Sequence, residues 1–347
     1  MPDMSSGDII VKSMGTFSRE EKAGQEIITL TKEVEIEQIE AKSVLRGETV
    51  YVIRDLKTGE LSRLEAKGAV EMVTTERKGR GESMISEVKY GPNHEVLKDR
   101  YFIEGDRSRG IKAILWHGED ITEADKFEID NRLDTFHLMG NPATVVKMPE
   151  EAPPAAVPGA PAVPAPKPAA PAGGGGMMPD MSFSGGKIRM QAEGEMFYEG
   201  ASGRLKMSRN VMIQRGANLI INADEAYLTM LLPPPGQEDP NGGVFAGTPI
   251  MLECKGRVEL KTPTHTVLSD RTTLDFVKKL AIMEMKVPKD LVKVYMKETP
   301  TEGKVMSAAK RLVINTETGE FQAAGSSHME TYTGIPPSNR IAPPLNK

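Results

Sequence analysis

Residues 252–260 read Leu252-Glu253-Cys254-Lys255-Gly256-Arg257-Val258-Glu259-Leu260, with small or apolar residues at alternate positions and charged side chains between them. Alternation of period two over this length indicates a β-strand with one apolar and one polar face. The earlier segment Leu64-Glu65-Ala66-Lys67-Gly68-Ala69-Val70-Glu71-Met72 matches it at six of nine positions. The chain therefore repeats one strand pattern, which predicts two copies of a single structural unit.

The same alternation recurs along both halves of the chain. In the first half the apolar positions are Leu30, Val34, Ile36, Leu64, Ala66, Val70 and Met72. In the second half they are Ile188, Met190, Met196, Leu205, Met207, Val211, Ile213, Leu219, Ile221, Leu252, Val258 and Leu260. Antiparallel sheets with one packed and one solvated face give such alternation, whereas buried parallel sheets give continuous apolar runs. The sequence predicts an all-β protein built as a sandwich, a jelly roll or a folded-over sheet.

Residues 274–285 fit two patterns, because some apolar side chains fall at helical spacing while others alternate. We interpret this stretch as strand. Two short segments, Lys57-Thr58-Gly59-Glu60 and Glu317-Thr318-Gly319-Glu320, place glycine between extended runs. Both are predicted to be hairpin turns.

The residues between the two halves have the composition of a linker. From Glu150 to Gly176 they are almost only Pro, Ala, Val and Gly, which cannot bury a core. Soon afterwards Met178-Pro179-Asp180-Met181-Ser182 repeats the first five residues of the chain. We predict a β-jellyroll module at 1–149, a linker at 150–185, a second β-jellyroll module at 186–335 and a flexible tail at 336–347.

Composition and charge argue against several functions. The net charge of -5 comes from interleaved acidic and basic residues without a sustained basic block, so nucleic acid is not an expected partner. The N-terminal residues carry neither a basic region nor an apolar run of the kind that a signal peptide needs. No segment approaches the roughly 18 apolar residues of a membrane helix. As written, the sequence predicts a soluble chain.

No catalytic, metal-binding or cofactor-binding pattern stands out. The five histidines have no recognised ligand spacing, and no phosphate-binding glycine loop with its lysine is present. Cys254 follows the apolar phase of its strand and is predicted to be a core residue. Asp125 and Asp224 are predicted to lie at strand ends or turns. A carbohydrate-active β-solenoid enzyme would need carboxylates clustered on one sheet face, which these strands do not show. We therefore predict a non-enzymatic protein.

Several segments follow one another in a recognisable order. They are Ala192-Glu193-Gly194, Leu205 through Asn210-Val211-Met212-Ile213, Leu219 through Ala223-Asp224-Glu225-Ala226-Tyr227, and Lys255 through Leu260. The first half adds Ala124 through Asp130 and Leu138-Met139-Gly140-Asn141-Pro142. Their succession resembles the OstA-like (LptA-type) family of lipopolysaccharide-transport proteins. Arg209 departs from the family pattern, which has glycine before Asn-Val.

The resemblance implies a jelly roll folded like a taco, whose apolar inner faces enclose acyl chains. The ligand would be lipopolysaccharide or a related glycolipid, and the apolar positions given above are the candidate groove-lining residues. The resemblance also implies a periplasmic location and end-to-end pairing with other OstA-like modules through edge strands. An inner-membrane transporter complex and an outer-membrane translocon would then be partners.

The apolar positions form a stripe along one face of each strand, and two physical considerations bear on their function. Burying ~12 methylenes at ~0.8 kcal/mol each is worth about 10 kcal/mol, and a bilayer supplies comparable burial, so directional transport needs an external motor. The core of any β-sandwich would also show such stripes. The alternative function is therefore a structural scaffold that polymerises through its edge strands without lipid.

Overall fold

The computed structural model describes most of each half of the chain. The described residues are 9–39, 42–75, 77–93, 95–118, 120–147, 186–234, 245, 247–286, 290–299, 302–316 and 321–324. The predicted linker, the predicted turn at 317–320, the repeated five-residue motif and the predicted tail lie outside these ranges.

The described residues form strands and two short 3-10 helices, without an α-helix among them. The strands of the first half are β1 (Ile9–Lys12), β2 (Phe17–Lys22), β3 (Gln25–Gln38), β4 (Ser43–Asp55), β5 (Leu61–Val73), β6 (Arg77–Tyr90), β7 (Val96–Glu104), β8 (Ala113–His117), β9 (Asp120–Ala124), β10 (Lys126–Asp130), β11 (Thr135–Met139) and β12 (Ala143–Lys147). The 3-10 helices are η1 (Arg107–Arg109) and η2 (Gly200–Ser202).

The second half repeats the same kind of element order. Its strands are β13 (Lys187–Gln191), β14 (Glu195–Glu199), β15 (Arg204–Arg215), β16 (Leu219–Leu231), β17 (Thr248–Lys261), β18 (His265–Asp275), β19 (Leu280–Glu284), β20 (Val292–Thr299), β21 (Glu302–Ala309), β22 (Arg311–Asn315) and β23 (Phe321–Ala324). The predicted all-β, antiparallel class is confirmed. The strand interpretation of 274–285 is right at β19, and residues 276–279 form the turn before it.

The chain packs as two compact units. Unit 1 comprises the described residues within 1–146, 189–213 and 224–249. Unit 2 comprises those within 147–188, 214–223 and 250–347. Unit 1 therefore takes strands from both sides of the predicted linker.

Unit 1 is a long series of antiparallel strands that divides into two branches at β6. Strands β3, β4, β5 and β6 pair in sequence, and β1 and β2 both pair with β3. One end of β6, from Ser83 to Tyr90, pairs with β7, whereas the other end, from Arg77 to Arg80, pairs with β8. The β7 branch continues through β10, β11, β14 and β15, and the β8 branch continues through β9 and β12.

Unit 2 contains a fork of the same form at β18. Strand β17 pairs with β18, whose residues 271–275 pair with β19 and whose residues 265–268 pair with β20. From there β19 continues to β22 and β23, and β20 continues to β21. These pairings correspond one by one to those that follow β5 and β6 in unit 1.

The repeated sequence motif of the two halves forms a bulge in both. In β5 the register shifts between Lys67 and Val70, where Gly68 and Ala69 have φ of 78° and 46°. In β17 the register shifts between Lys255 and Val258, where Gly256 has φ of 71°. Glycine adopts positive φ without strain, and a bulge bends its strand. The sequence repeat therefore marks a bend at the same place in each copy.

A second pair of equivalent bends has no glycine. In β3, Lys32 and Glu33 have φ of 61° and 46°, and in β15, Arg209 and Asn210 have φ of 62° and 47°. The backbone N–H of Met14 donates to the carbonyl of Lys32 at 3.0 Å, as that of Glu193 does to Arg209 at 2.9 Å. Because this hydrogen bond occurs at the same place in both halves, β1, β2 and β3 correspond to β13, β14 and β15.

The glycine of the Ala192-Glu193-Gly194 motif has a steric role in this arrangement. A Cβ atom at Gly194 would collide with the backbone carbonyl oxygen of Ser208. Gly15 takes the equivalent place in the first half, where a Cβ atom would collide with the carbonyl oxygen of Thr31. Only glycine allows the chain to cross β3 and β15 so closely.

Candidate functional site

Every apolar position predicted to line a groove is buried, from the fully inaccessible Ala66 to Met72 and Ile188 at 5% exposure. Those in unit 1 are Leu30, Val34, Ile36, Leu64, Ala66, Val70, Met72, Met190, Met196, Leu205, Met207, Val211 and Ile213. Those in unit 2 are Ile188, Leu219, Ile221, Leu252, Val258 and Leu260. The predicted stripes thus face interiors, and these interiors are closed in this structure.

The two branches of unit 1 meet over the start of β6. A Cβ atom at Gly79 would lie 3.0 Å from Ile103 Cδ1 of the β7 branch and 3.8 Å from Leu115 Cδ1 of the β8 branch. Met72 Cε of β5 would be 3.5 Å away. Side chains from both branches therefore converge on one point, and the absent side chain of Gly79 leaves room for them.

Strands from the two sides of the predicted linker join within unit 1. In the β11–β14 pair, Phe136 lies opposite Tyr198 and Leu138 lies opposite Met196, all with inward, buried side chains. The ring centroids of Phe136 and Tyr198 are 6.1 Å apart, and that of Phe245 lies 5.0 Å from Tyr198. The apolar interior of unit 1 consequently continues without a break from the first half of the chain to the second.

A positive charge also reaches this interior, and no pattern in the sequence predicts it. In the first part of β6 the inward row consists of Arg77, Gly79 and Gly81. The Arg77 guanidinium carbon lies 5.2 Å from the ring centroid of Phe136, across the interior on β11. Arg77 lies within a run of charged residues, which is typical of a solvated turn. Its contact with Phe136 is therefore visible only in the three-dimensional fold.

Tyr101 of β7 places a polar side chain beside this arginine. Its side chain is 2% exposed, and burial raises the pKa of its hydroxyl while the nearby Arg77 opposes that rise. The Nε atom of Arg77 is buried and has no hydrogen-bond acceptor within the described part of the chain. Phe136, Tyr101 and Arg77 therefore form a mixed polar and aromatic site at one end of an apolar interior.

The outward faces carry ladders of cross-strand ion pairs. Arg46 of β4 lies between Glu35 of β3 and Glu71 of β5, at 2.9 and 3.2 Å, and Lys78 of β6 lies 2.6 Å from Glu71. Hydrogen bonds from Lys78 and Arg46 lower the pKa of the Glu71 carboxyl. These pairs are largely exposed, so they satisfy charge on the outer surface and contribute little stability.

The structure places the reactive residue types in structural roles. Cys254 is fully buried, as predicted, and burial raises the pKa of its thiol to about 12. Asp125 lies in the bend between β9 and β10, as predicted. The same prediction is wrong for Asp224, which lies inside β16. Between the inward Ala223 and Ala226 its side chain is partly solvated, so a strand can accommodate the carboxylate there. Over the ranges that the structure describes, no group of three or more His, Cys, Asp or Glu could hold a metal ion.

One polar surface cavity of about 430 Å³ lies beside η1. Within it Arg107 pairs with Asp125 at 3.1 Å, and the ammonium of Lys112 donates to the carbonyl of Asn141 at 2.5 Å. The charged groups of this cavity thus already have partners in the protein. Among the described residues, no helix has the length and apolarity required to span a membrane.

A comparison with solved structures finds a distant likeness in fold. No family model matches the chain, and no curated protein matches it. Among solved structures it is similar to the crystal structure of LptH from Pseudomonas aeruginosa, described as the LptA-homologous periplasmic component of the conserved lipopolysaccharide transport device. The two share 13% sequence identity with a TM-score of 0.29, over 43% of this chain and 95% of that one. A likeness of this extent is too distant to assign a function.

Proposed function

We propose that this chain is a non-enzymatic binding protein of the cell envelope that carries the acyl chains of lipopolysaccharide or a related glycolipid. Two observations support the proposal. The strands that bear the OstA-like motifs turn all their predicted apolar positions into closed interiors, and the repeated motifs form equivalent bends in both halves. The proposed setting is a transport bridge in the periplasm that leads to the outer membrane.

Lipid entry requires the closed interior to open. In unit 1, acyl chains would separate the inner side chains of the β7 and β8 branches, which both lie close to Gly79. Such an exchange replaces contacts between apolar side chains with contacts to apolar lipid, so the buried area changes little. The interior is then matched to a bilayer, and lipid can leave it as readily as it enters.

Neighbouring residues on one strand supply a matched test. Leu252 is 2% exposed and Met251, beside it on the opposite face of β17, is 38% exposed. A photocrosslinking amino acid at each position would be irradiated in delipidated protein mixed with labelled lipopolysaccharide. We expect specific crosslinks at Leu252 and few at Met251. Equal labelling at the two positions, or none at either, would refute acyl-chain binding in the interior of unit 2.

Met190 and Arg189 provide the same comparison in unit 1. Met190 is 2% exposed and inward, whereas Arg189 is exposed on the other face of β13. Crosslinks at Met190 together with Leu252 would show that both units hold lipid. Crosslinks at one position alone would show which unit does so.

We propose that further OstA-like modules pair with this chain at the edge formed by β1 and β2. By the alignment of the bends, β2 corresponds to β14, whose Met196 and Tyr198 are covered by β11. The matching region of the first half instead exposes apolar side chains. These are Ile10 at 41%, Val11 at 48%, Met14 at 77% and Phe17 at 66%. Strands like β11 and β12, from another module, would cover them.

Charged residues restrict this pairing. Arg19 of β2 stands where β14 has Tyr198, and it pairs with Glu26 and with Glu21. Charges on an edge strand oppose indiscriminate association. A partner with complementary charge is therefore favoured over open-ended growth. Modules of an inner-membrane transporter complex and of an outer-membrane translocon are the proposed partners.

The exposed apolar edge also supports the second candidate, a scaffold that polymerises without lipid. The two functions predict different results for the purified full-length chain. A scaffold would sediment as concentration-dependent polymers, and mass spectrometry would find no bound lipid. A lipid carrier would contain co-purified lipid, and its sedimentation would respond to lipid removal.

A further inference from the structure

The inward row of β6 differs from the other inward rows of unit 1 in carrying a cation. Most inward positions of β3, β4 and β5 are apolar, but β6 has Arg77 followed by Gly79 and Gly81. Because the two glycines have no side chains, space beyond Arg77 is filled by Ile103 of the opposite branch. The guanidinium thus lies at the boundary between the apolar interior and the end of unit 1.

Lys78 and Arg63 have carboxylate partners, and within the described part of the chain Arg77 does not. Lys78 pairs with Glu71 at 2.6 Å, and Arg63 pairs with Glu65 at 3.0 Å. In the described part of the chain no carboxylate lies within ion-pair distance of Arg77, and its Nε is buried without an acceptor. A buried donor without an acceptor destabilises the protein, because water that would satisfy it is excluded.

The immediate surroundings of Arg77 suit a ligand that is apolar at one end and anionic at the other. Phe136 lies under the guanidinium at 5.2 Å, and Tyr101 presents a hydroxyl nearby. Tyr101 interacts with this guanidinium, whose Nε has no acceptor among the described residues. An arginine that is stacked on a ring can bind a carboxylate or a phosphate through paired hydrogen bonds. Leu115 and Ile103 continue the surface from there into the apolar interior.

We infer that Arg77 receives the anionic head group, a carboxylate or a phosphate, of an amphiphile whose acyl chain lies in the interior of unit 1. The inference rests on the proposed function, since it needs an interior that accepts acyl chains. It adds that the protein selects anionic amphiphiles over neutral ones and fixes their orientation. The head group lies at Arg77 and the chain extends toward Leu115.

The test compares two fluorescent probes of equal chain length in delipidated full-length protein. The probes are cis-parinaric acid, which is anionic, and parinaryl alcohol, which is neutral. We expect the acid to bind at least tenfold more tightly than the alcohol, and Arg77→Gln to abolish this preference while leaving the affinity for the alcohol unchanged. Arg80→Gln is the matched control, because Arg80 lies on the same strand with an exposed side chain. It should keep the preference.

Each other outcome overturns a defined part of the inference. Equal affinity of the native protein for acid and alcohol overturns the inference. A preference for the acid that persists in the Arg77→Gln variant overturns it too. Competition by acetate or inorganic phosphate as strong as that by the acid would show a simple anion site and refute the role of the acyl chain. Binding of neither probe would refute both the inference and the proposed function.

Discussion

Phe136 and Tyr198 join strands that lie on opposite sides of the predicted linker, so their coupling tests how the chain is folded. The two rings are 6.1 Å apart, and their side chains are 3% and 1% exposed. Replacing either with leucine should lower the free energy of unfolding by about 1–3 kcal/mol, through lost burial and imperfect repacking. A buried aromatic pair contributes about 0.5–1.5 kcal/mol beyond its area. The double variant should therefore lose about 1 kcal/mol less than the sum of the single variants.

Urea unfolding of the native protein, Phe136→Leu, Tyr198→Leu and the double variant measures this coupling. Phe197→Leu is the control on the same strand, since Phe197 lies on the opposite face of β14 and is 40% exposed. Its effect should add to that of Phe136→Leu. A coupling below about 0.3 kcal/mol between Phe136 and Tyr198 is the ordinary scatter of additivity, and it would refute the packing of β11 against β14.

Three further predictions concern single residues. The buried thiol of Cys254, with a pKa of about 12, should react with a maleimide only after urea unfolding; rapid labelling of native protein would contradict its burial. Arg209→Gly should raise the free energy of unfolding by up to about 1 kcal/mol, because φ of 62° strains any residue except glycine; a loss of stability would refute the bulge. Hydrogen bonds from Ser108 and Arg109 lower the pKa of Asp106 from 3.8 to about 2. Its carboxylate thus stabilises the fold above pH 3.8 and stops doing so as pH falls through 2, and an NMR titration midpoint near 3.8 would contradict this.

Local pattern was sufficient to predict the class of the fold and the buried faces. Alternation at Leu252, Cys254 and Val258 depends only on which side chains face water, so it can be seen in the sequence without knowledge of strand partners. The turn predicted at 57–60 is confirmed, with φ of 74° at Gly59 between β4 and β5. The division into two modules and the lipid-lining role of the buried residues stay predictions.

Features that depend on distant contacts could not be predicted. The bend at Lys32 and Glu33 has no glycine to mark it in the sequence. The pairing of β11 with β14 joins segments far apart in sequence, for which alternation gives no register. In the sequence Arg77 is one charged residue among several. Its proposed role depends on the ring of Phe136, which only the fold places next to it.

The pairing of β11 with β14 has a consequence during protein synthesis. His137 and its partner Glu195 are 58 residues apart, so a ribosome that adds about 5–20 residues per second needs roughly 3–12 s to supply the second strand. If the first half folds as it is synthesised, β11, with Phe136 and Leu138, is an uncovered sheet edge throughout that interval. Binding by a chaperone at this stage would prevent premature pairing between nascent chains on neighbouring ribosomes.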